Sequence, residues 1–263
     1  MQETSALYKR LFSGAHRVET RVAIGESGVL VNESGDFITF GKTRILVARS
    51  GADSGYGENV LMRVSTYRQV FSDDKPQVGC CTAGEISITM LRPKGDIPRM
   101  AQIVPYIRLT DGHEHSEWLQ KGVYYIDTRE YSNDDSGVDT MTIHGYDAML
   151  KAEMDYTGNA LSWPSTDVQV VKDIARLMDV QVDSETLSIL TKKYPVQLPS
   201  GYSCREVLGY IAAMYAGNFI MSDAGDLKLL QLNGLPAETR YLVDHGGYYL
   251  VFGSDANATR IKV

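Results

Sequence analysis

The sequence predicts an α+β fold dominated by β structure, and three observations carry that prediction. Up to about residue 155, strand-like runs follow one another with turn clusters at short intervals and no long helix between them, the pattern of a barrel or a sandwich. From about Leu161 the hydrophobic period lengthens from two residues to three and four, which marks helices. The last strong helical pattern is followed at once by two short apolar runs around a four-residue polar turn, a hairpin. Residues 1–155 are therefore expected to form the β domain and residues 156–263 a smaller helix-plus-hairpin α+β domain, with Asp155–Trp163 as the connector.

In the first part, β-dominated from Ala6 to about Met149, Arg17–Gly25 alternates through Val18, Thr20, Val22 and Ile24. Arg44–Ala48 is a second run, and the glycine-rich Gly51–Gly57, read as a mobile loop, separates it from a long run over Asn59–Phe71 carrying Val60, Met62, Val64 and Val70. Ile86, Ile88 and Met90 alternate with polar residues in Glu85–Met90. Met100–Leu109 contains Pro105, which cannot donate to a ladder, so this run is expected at an edge or a bulge. Gly122–Ser132 is rich in β-branched and aromatic residues, ends in the turn cluster Asn133–Gly137, and pairs with Val138–His144 as a long-looped hairpin. Ile86, Ile88, Tyr124, Ile126, Met141 and Ile143 are the expected core. Gly145-Tyr146-Asp147 breaks the strand pattern, and Ala148–Glu153 has the propensity for a helical turn or two.

In the second part, Thr166 and Gln169 have capping-box spacing, and Val168, Val171, Ile174, Ala175 and Met178 share one face of a helix ending near Asp179. A shorter helical patch covers Ser184–Leu190. Ser203 and Glu206 form a second capping box, opening a helix that runs to Ala216 with Val207, Leu208, Ile211, Met214 and Tyr215 inward and Gly217 as its stop. Asn218–Met221 and Asp226–Leu230 then form the hairpin around Ser222–Gly225. Arg260–Val263 reads as the opening of a strand whose sheet something else completes, so the chain is expected to be a piece of a longer protein or to borrow partner strands.

Composition narrows the function. A chain of 263 residues can bury a substantial core, and a net charge of −7 argues against a protein built to grip phosphates, since that affinity comes from Lys and Arg. No apolar run approaches the ~20 residues that span a bilayer, and no signal-peptide core is visible at the N-terminus, so the chain is expected to be made and folded in a cytoplasm. Cys80, Cys81 and Cys204 are odd in number with two adjacent, a poor disulfide framework, and Cys204 is expected to pack on the first turn of its helix.

The search for chemistry yields no catalytic, cofactor-binding or metal-ligating assignment. Gly112-His113-Glu114-His115 offers zinc ligands, but histidines two apart in an extended chain point to opposite faces, and the flanks read as a solvated turn. Asn133–Asp139 has oxygen ligands without the twelve-residue calcium loop, and His144 reads as a satisfied core or rim histidine. The acidic pairs Asp73-Asp74 and Asp134-Asp135 are sequence neighbours on loops, unlike a glycosidase pair facing across a cleft.

Three phrases carry a resemblance: IPRMAQIVPYIRL, SEWLQKGVYYIDTREYS and TMTIHGYDAMLKAEMDY. Within a stretch from about His16 to Leu229, they resemble the N-terminal part of bacteriophage and prophage tail baseplate hub proteins, including the tail-associated lysins of siphophages and the similar hubs of contractile tails. The resemblance implies a β-barrel-like first domain and a structural, non-enzymatic role at the virion tail tip. It also implies a homotrimeric hub ring, with the distal tail protein, the tape-measure protein and the tail tube as partners, through which DNA passes without specific binding. A hub of a contractile injection system or an R-type bacteriocin is the alternative of the same class. A peptidoglycan hydrolase is the alternative of another class.

Overall fold

The computed structural model describes residues 4–25, 55–72, 75–93, 97, 100–133, 137–190 and 194–232, together with the backbone of short strands at 27–29, 39–40, 43–44, 46–48, 251–252 and 259–260. Of the run at Arg44–Ala48 only the backbone of residues 44 and 46–48 is described, and most of the Gly51–Gly57 loop lies outside the described residues.

The chain opens with helix α1 (Ala6–Ser13) rather than with the expected β structure, its N-terminus capped by the Ser5 hydroxyl, which accepts from Tyr8 N. Seven strands then form one sheet: β1 (Arg17–Gly25), β2 (Leu61–Tyr67), β3 (Glu85–Leu91), β4 (Gln102–Thr110), β5 (Leu119–Gln120), β6 (Tyr124–Asn133) and β7 (Asp139–Asp147). Their order is β1-β4-β6-β7-β3-β2, with β5 beside β4, and every pairing is antiparallel. The expected alternation holds residue for residue at the centre. Ile86, Ile88, Tyr124, Ile126, Met141 and Ile143 are all buried, and with Val22, Met90 and Ile103 they form one apolar core. Among the described residues the sheet does not close into a barrel. Its edge strands β1 and β2 do not pair, and an isolated bridge from Val22 to Tyr56, ahead of β2, is what joins the two margins.

Three strand expectations need correction. The Pro105 strand is interior, between β1 and β6. The Val22 N–H and C=O both go to Tyr56, so Val22 and its partner Pro105 form a non-hydrogen-bonded pair, and the missing N–H of Pro105 falls on its other side. There β6 pairs only with residues 102–103 and β5 only with 106–107, so Pro105 sits in the gap between two partners. Gly145-Tyr146-Asp147 continues β7 rather than ending it, because the glycine serves close approach: a Cβ there would lie 2.5 Å from Tyr125 O. Met62 is 62% exposed, because the pairing of β2 with β3 slips between Leu61 and Arg63 and turns it outward.

After β7 a short 3-10 helix (Ala148–Glu153) leads to α2 (Asp167–Met178), α3 (Ser184–Ile189) and α4 (Cys204–Met214). Both capping boxes are formed, Thr166 with Gln169 and Ser203 with Glu206. Strands β8 (Gly217–Met221) and β9 (Leu227–Gln231) make the expected hairpin against α4. Two further bridges widen it: Cys81 runs parallel to Phe219 on one side and Val182 parallel to Leu227 on the other. The second core gathers Val171, Ile174, Met178, Leu208, Ile211 and Phe219 with Cys81, Met149 and Ala152 from the earlier segments. Met214 departs from expectation at 46% exposed, since α4 ends there. The left-handed residue that turns the chain is Ala216 (φ 50°), while Gly217 already belongs to β8, where a Cβ would lie 2.6 Å from Leu230 O.

Candidate interaction surface

Polar side chains tie the earlier segments to the helix-hairpin region at two points, one buried at Asn218 and one partly exposed at Arg68. Asn218, with no exposed surface, accepts from Cys80 N (2.9 Å) and donates to Val70 O (2.8 Å) and Gln77 O (2.9 Å), holding the 70–80 segment against β8. Arg68 donates to the Tyr124 hydroxyl (3.0 Å), to Lys121 O (2.7 Å) and to Asp223 Oδ1 (2.6 Å), so one guanidinium joins the sheet to the β8–β9 turn. Beside it Asp147, 4% exposed, ends β7 and caps the 3-10 helix, accepting from Met149 N (3.0 Å) and Gly84 N (2.7 Å). Burial pushes its carboxyl up to about 6, against the opposing pull of those two N–H groups and of Arg68 and Arg205. A Cβ on Gly84 would meet Asp147 Oδ2 at 2.7 Å, which is why a glycine stands there. These residues lie far apart in sequence from their partners, and no sequence pattern singles them out.

The chemically suggestive residues of the sequence serve local structure. In the His113-Glu114-His115 turn, Asp111 Oδ1 accepts from His113 N and Glu114 N (both 2.9 Å), and these bonds hold the Asp111 carboxyl below its usual range. Glu114 pairs with Arg10, and His115 Nδ1 lies 3.5 Å from Glu19, itself held by Arg108 at 2.6 Å. The Arg21 and Arg108 guanidiniums both lie over the Trp118 ring, 4.9 and 4.4 Å from its centre. The described residues contain no group of three His, Cys, Asp or Glu side chains placed to hold a metal. Residues 134–136 of the acidic hairpin loop and both members of Asp73-Asp74 lie outside the described residues. His144 is half-buried on β7, next to Thr128 of β6.

The three cysteines are free and buried. Burial drives Cys81 up to about 12 and Cys204 to about 11, which keeps both as thiols at neutral pH. Cys204 packs in the first turn of α4 as its sequence context predicts.

Several large apolar side chains are exposed on the surface. On the outward side of α4, Tyr210 (59% exposed) and Met214 lie near Tyr202, whose ring meets that of Tyr210 edge-on at 5.5 Å. Val78, Gly79, Gly209 and Tyr210 line a cleft of about 520 Å³ there. A groove of about 650 Å³ runs between Val123 and Tyr125 of the sheet side and Lys172, Arg176 and Val180 of the α2 side. A smaller socket of about 250 Å³ opens where β6 and β7 meet the 3-10 helix, among Met100, Tyr146 and Leu150. The cleft on α4 and the socket are mainly apolar and suit protein contacts, whereas the groove beside α2 is mainly polar.

The sequence matches no protein-family model and no curated protein. Among solved structures, the chain overlaps a 43 kDa tail protein of prophage MuSo2 from Shewanella oneidensis, with 12% identity and a TM-score of 0.45 over 82% of this chain and 56% of that one. It overlaps a tail protein of Neisseria meningitidis MC58 with 12% identity and a TM-score of 0.44, over 82% of this chain and 51% of that one. A Francisella PdpA-VgrG complex gives 8% identity and a TM-score of 0.40, over 92% of this chain and 38% of that one. The chain thus spans about half the length of the two tail proteins.

Proposed function

We propose that this chain is a structural hub subunit of a phage or prophage tail tip, and that it acts by binding rather than by catalysis. One observation carries the reading: the three phrases that resemble tail hubs fall on contiguous elements. IPRMAQIVPYIRL ends in β4, SEWLQKGVYYIDTREYS covers β5 and most of β6, and TMTIHGYDAMLKAEMDY covers β7 and the 3-10 helix, with β4, β6 and β7 adjacent in the sheet. A resemblance assembled by chance from scattered strands would have no reason to trace one continuous block of a fold.

On this reading three copies form a ring through their β domains, residues 1–155, each followed by the α+β domain from 156 onward. The ring joins the tail tube above to the distal tip below and works with the distal tail and tape-measure proteins. DNA slides through its bore, and an acidic balance suits that passage because carboxylates repel phosphates. The test is labelling of intact virions or induced prophage particles with an antibody to this chain. Gold at the distal end of the tail is the expected result, and particles that carry none of the chain would refute the proposal. A zymogram on peptidoglycan separates the hydrolase alternative, with no clearing expected.

A further inference from the structure

The socket beside the 3-10 helix combines three features. Its walls are apolar: Met100, Tyr125, Ile126, Tyr146 and Leu150, with Met100 62% and Leu150 45% exposed at the mouth. At about 250 Å³ it is smaller than the ~300–1,000 Å³ of a small-molecule pocket, and it fits an inserted side chain. Met100 also holds a left-handed conformation, φ 58°, which is strained for a residue with a Cβ, and its apolar side chain stands out in solvent.

The third feature is Lys151 at the rim. Its ammonium lies 4.4 Å from the centre of the Tyr125 ring, and among the described residues no carboxylate comes within 4.0 Å of it. Burial lowers its proton affinity, with Asp179 opposing at longer range. The other acids at the socket are Asp127, exposed on the lip, and Asp147, whose two oxygens are already committed to Gly84 N and Met149 N. A half-buried cation that rests on a ring and feels a carboxylate only at longer range gains from an incoming anion.

We infer that this socket is a docking site for a partner polypeptide, which inserts an apolar side chain between Met100, Tyr146 and Leu150 while a neighbouring carboxylate pairs with Lys151. Lys151 selects the occupant: a segment that sets a carboxylate beside its apolar side chain is favoured over the same segment without one. The inference is independent of the tail reading, since it specifies the chemistry of the partner and not the assembly that supplies it.

The experiment follows the methyl signals of the whole chain labelled with 13C-methyl methionine, with Met100 assigned through Met100→Leu. The probes are the peptide acetyl-Ser-Asp-Leu-Phe-Asp-Ser-amide, its analogue with both Asp replaced by Asn, and decanoate. The acidic peptide is expected to move the Met100 methyl saturably and to bind about fivefold more tightly than the Asn analogue, the upper range for a partly exposed ion pair. Lys151→Glu should invert that order, and Leu150→Arg, which blocks the mouth from an exposed position, should abolish both responses while the other methionine signals keep their places. Absence of a saturable shift overturns the inference, as do equal affinities for the acid and the Asn analogue. A response to decanoate without one to the peptide would overturn it too, assigning the socket to a lipid chain instead.

Discussion

Asn218 offers the sharpest test of how the two regions are held together. Its amide makes three bonds to backbone groups of the 70–80 segment and has no exposure, so Asn218→Ala removes the partner of one buried N–H and of two part-buried carbonyls. At about 1–3 kcal/mol for each buried group left unsatisfied, relieved in part by relaxation or an entering water, the expected loss is about 3–5 kcal/mol. Asn218→Asp is more discriminating because it keeps the shape. One oxygen can still accept from Cys80 N, but the other now faces Val70 O and Gln77 O and must carry a proton to donate to either. Burial and those carbonyls raise its folded pKa above the unfolded ~3.9. A raised acid contributes stability that is full below the unfolded pKa and lost as pH climbs through the folded one, so this variant should approach the parent at pH 4 and fall well below it at pH 7. Urea melts at both pH values measure the difference. Equal stability of parent and Asn218→Asp at pH 7, or a loss under about 0.5 kcal/mol for Asn218→Ala, would refute the claim that this amide joins the 70–80 segment to β8.

Asp147, at about 6 in the folded chain, follows the same sign: its contribution is complete below pH ~4 and declines by about 3 kcal/mol as pH rises through 6, so Asp147→Asn should flatten that part of the stability profile in urea melts from pH 4 to 7. In α4, Leu208→Ala should cost about 2–5 kcal/mol and Ser203→Ala about 1 kcal/mol in denaturant melts. Gly84→Ala should cost about 1–3 kcal/mol, because the added methyl meets the Asp147 carboxylate and the Arg68 side chain. Met100→Gly should leave the melting midpoint nearly unchanged, as relief of the left-handed strain offsets the entropy glycine adds to the unfolded chain.

Much of the architecture was legible because it rests on local periods. The alternations at Ile86-Ile88-Met90, Tyr124-Ile126 and Met141-Ile143, and the two capping boxes, are properties of a few adjacent residues, and each appears in the structure where the sequence puts it. What escaped reading depends on partners distant along the chain. Pro105 looks like an edge residue until β5 and β6 are seen to leave a gap opposite it, and Gly145 looks like a break until Tyr125 O is found against it. Asn218 is 138 residues from the N–H it caps, and Arg68 is 155 from Asp223, separations at which no spacing rule operates. The socket was equally silent: Met100 and Lys151 are unremarkable in sequence, and only the fold turns one into an exposed, strained lip and sets the other over the Tyr125 ring with no carboxylate of the described residues within 4.0 Å.

The central claim is assembly into a tail tip, and it is tested most directly by co-expressing the full reading frame with the tail-tube and distal-tail proteins of the same genome and imaging the product by electron microscopy. The account predicts a threefold ring of this chain, coaxial with the tube and with an open bore whose wall is acidic or neutral. A chain that stays apart from the tube, or a bore lined by a continuous ring of Lys and Arg, would contradict it.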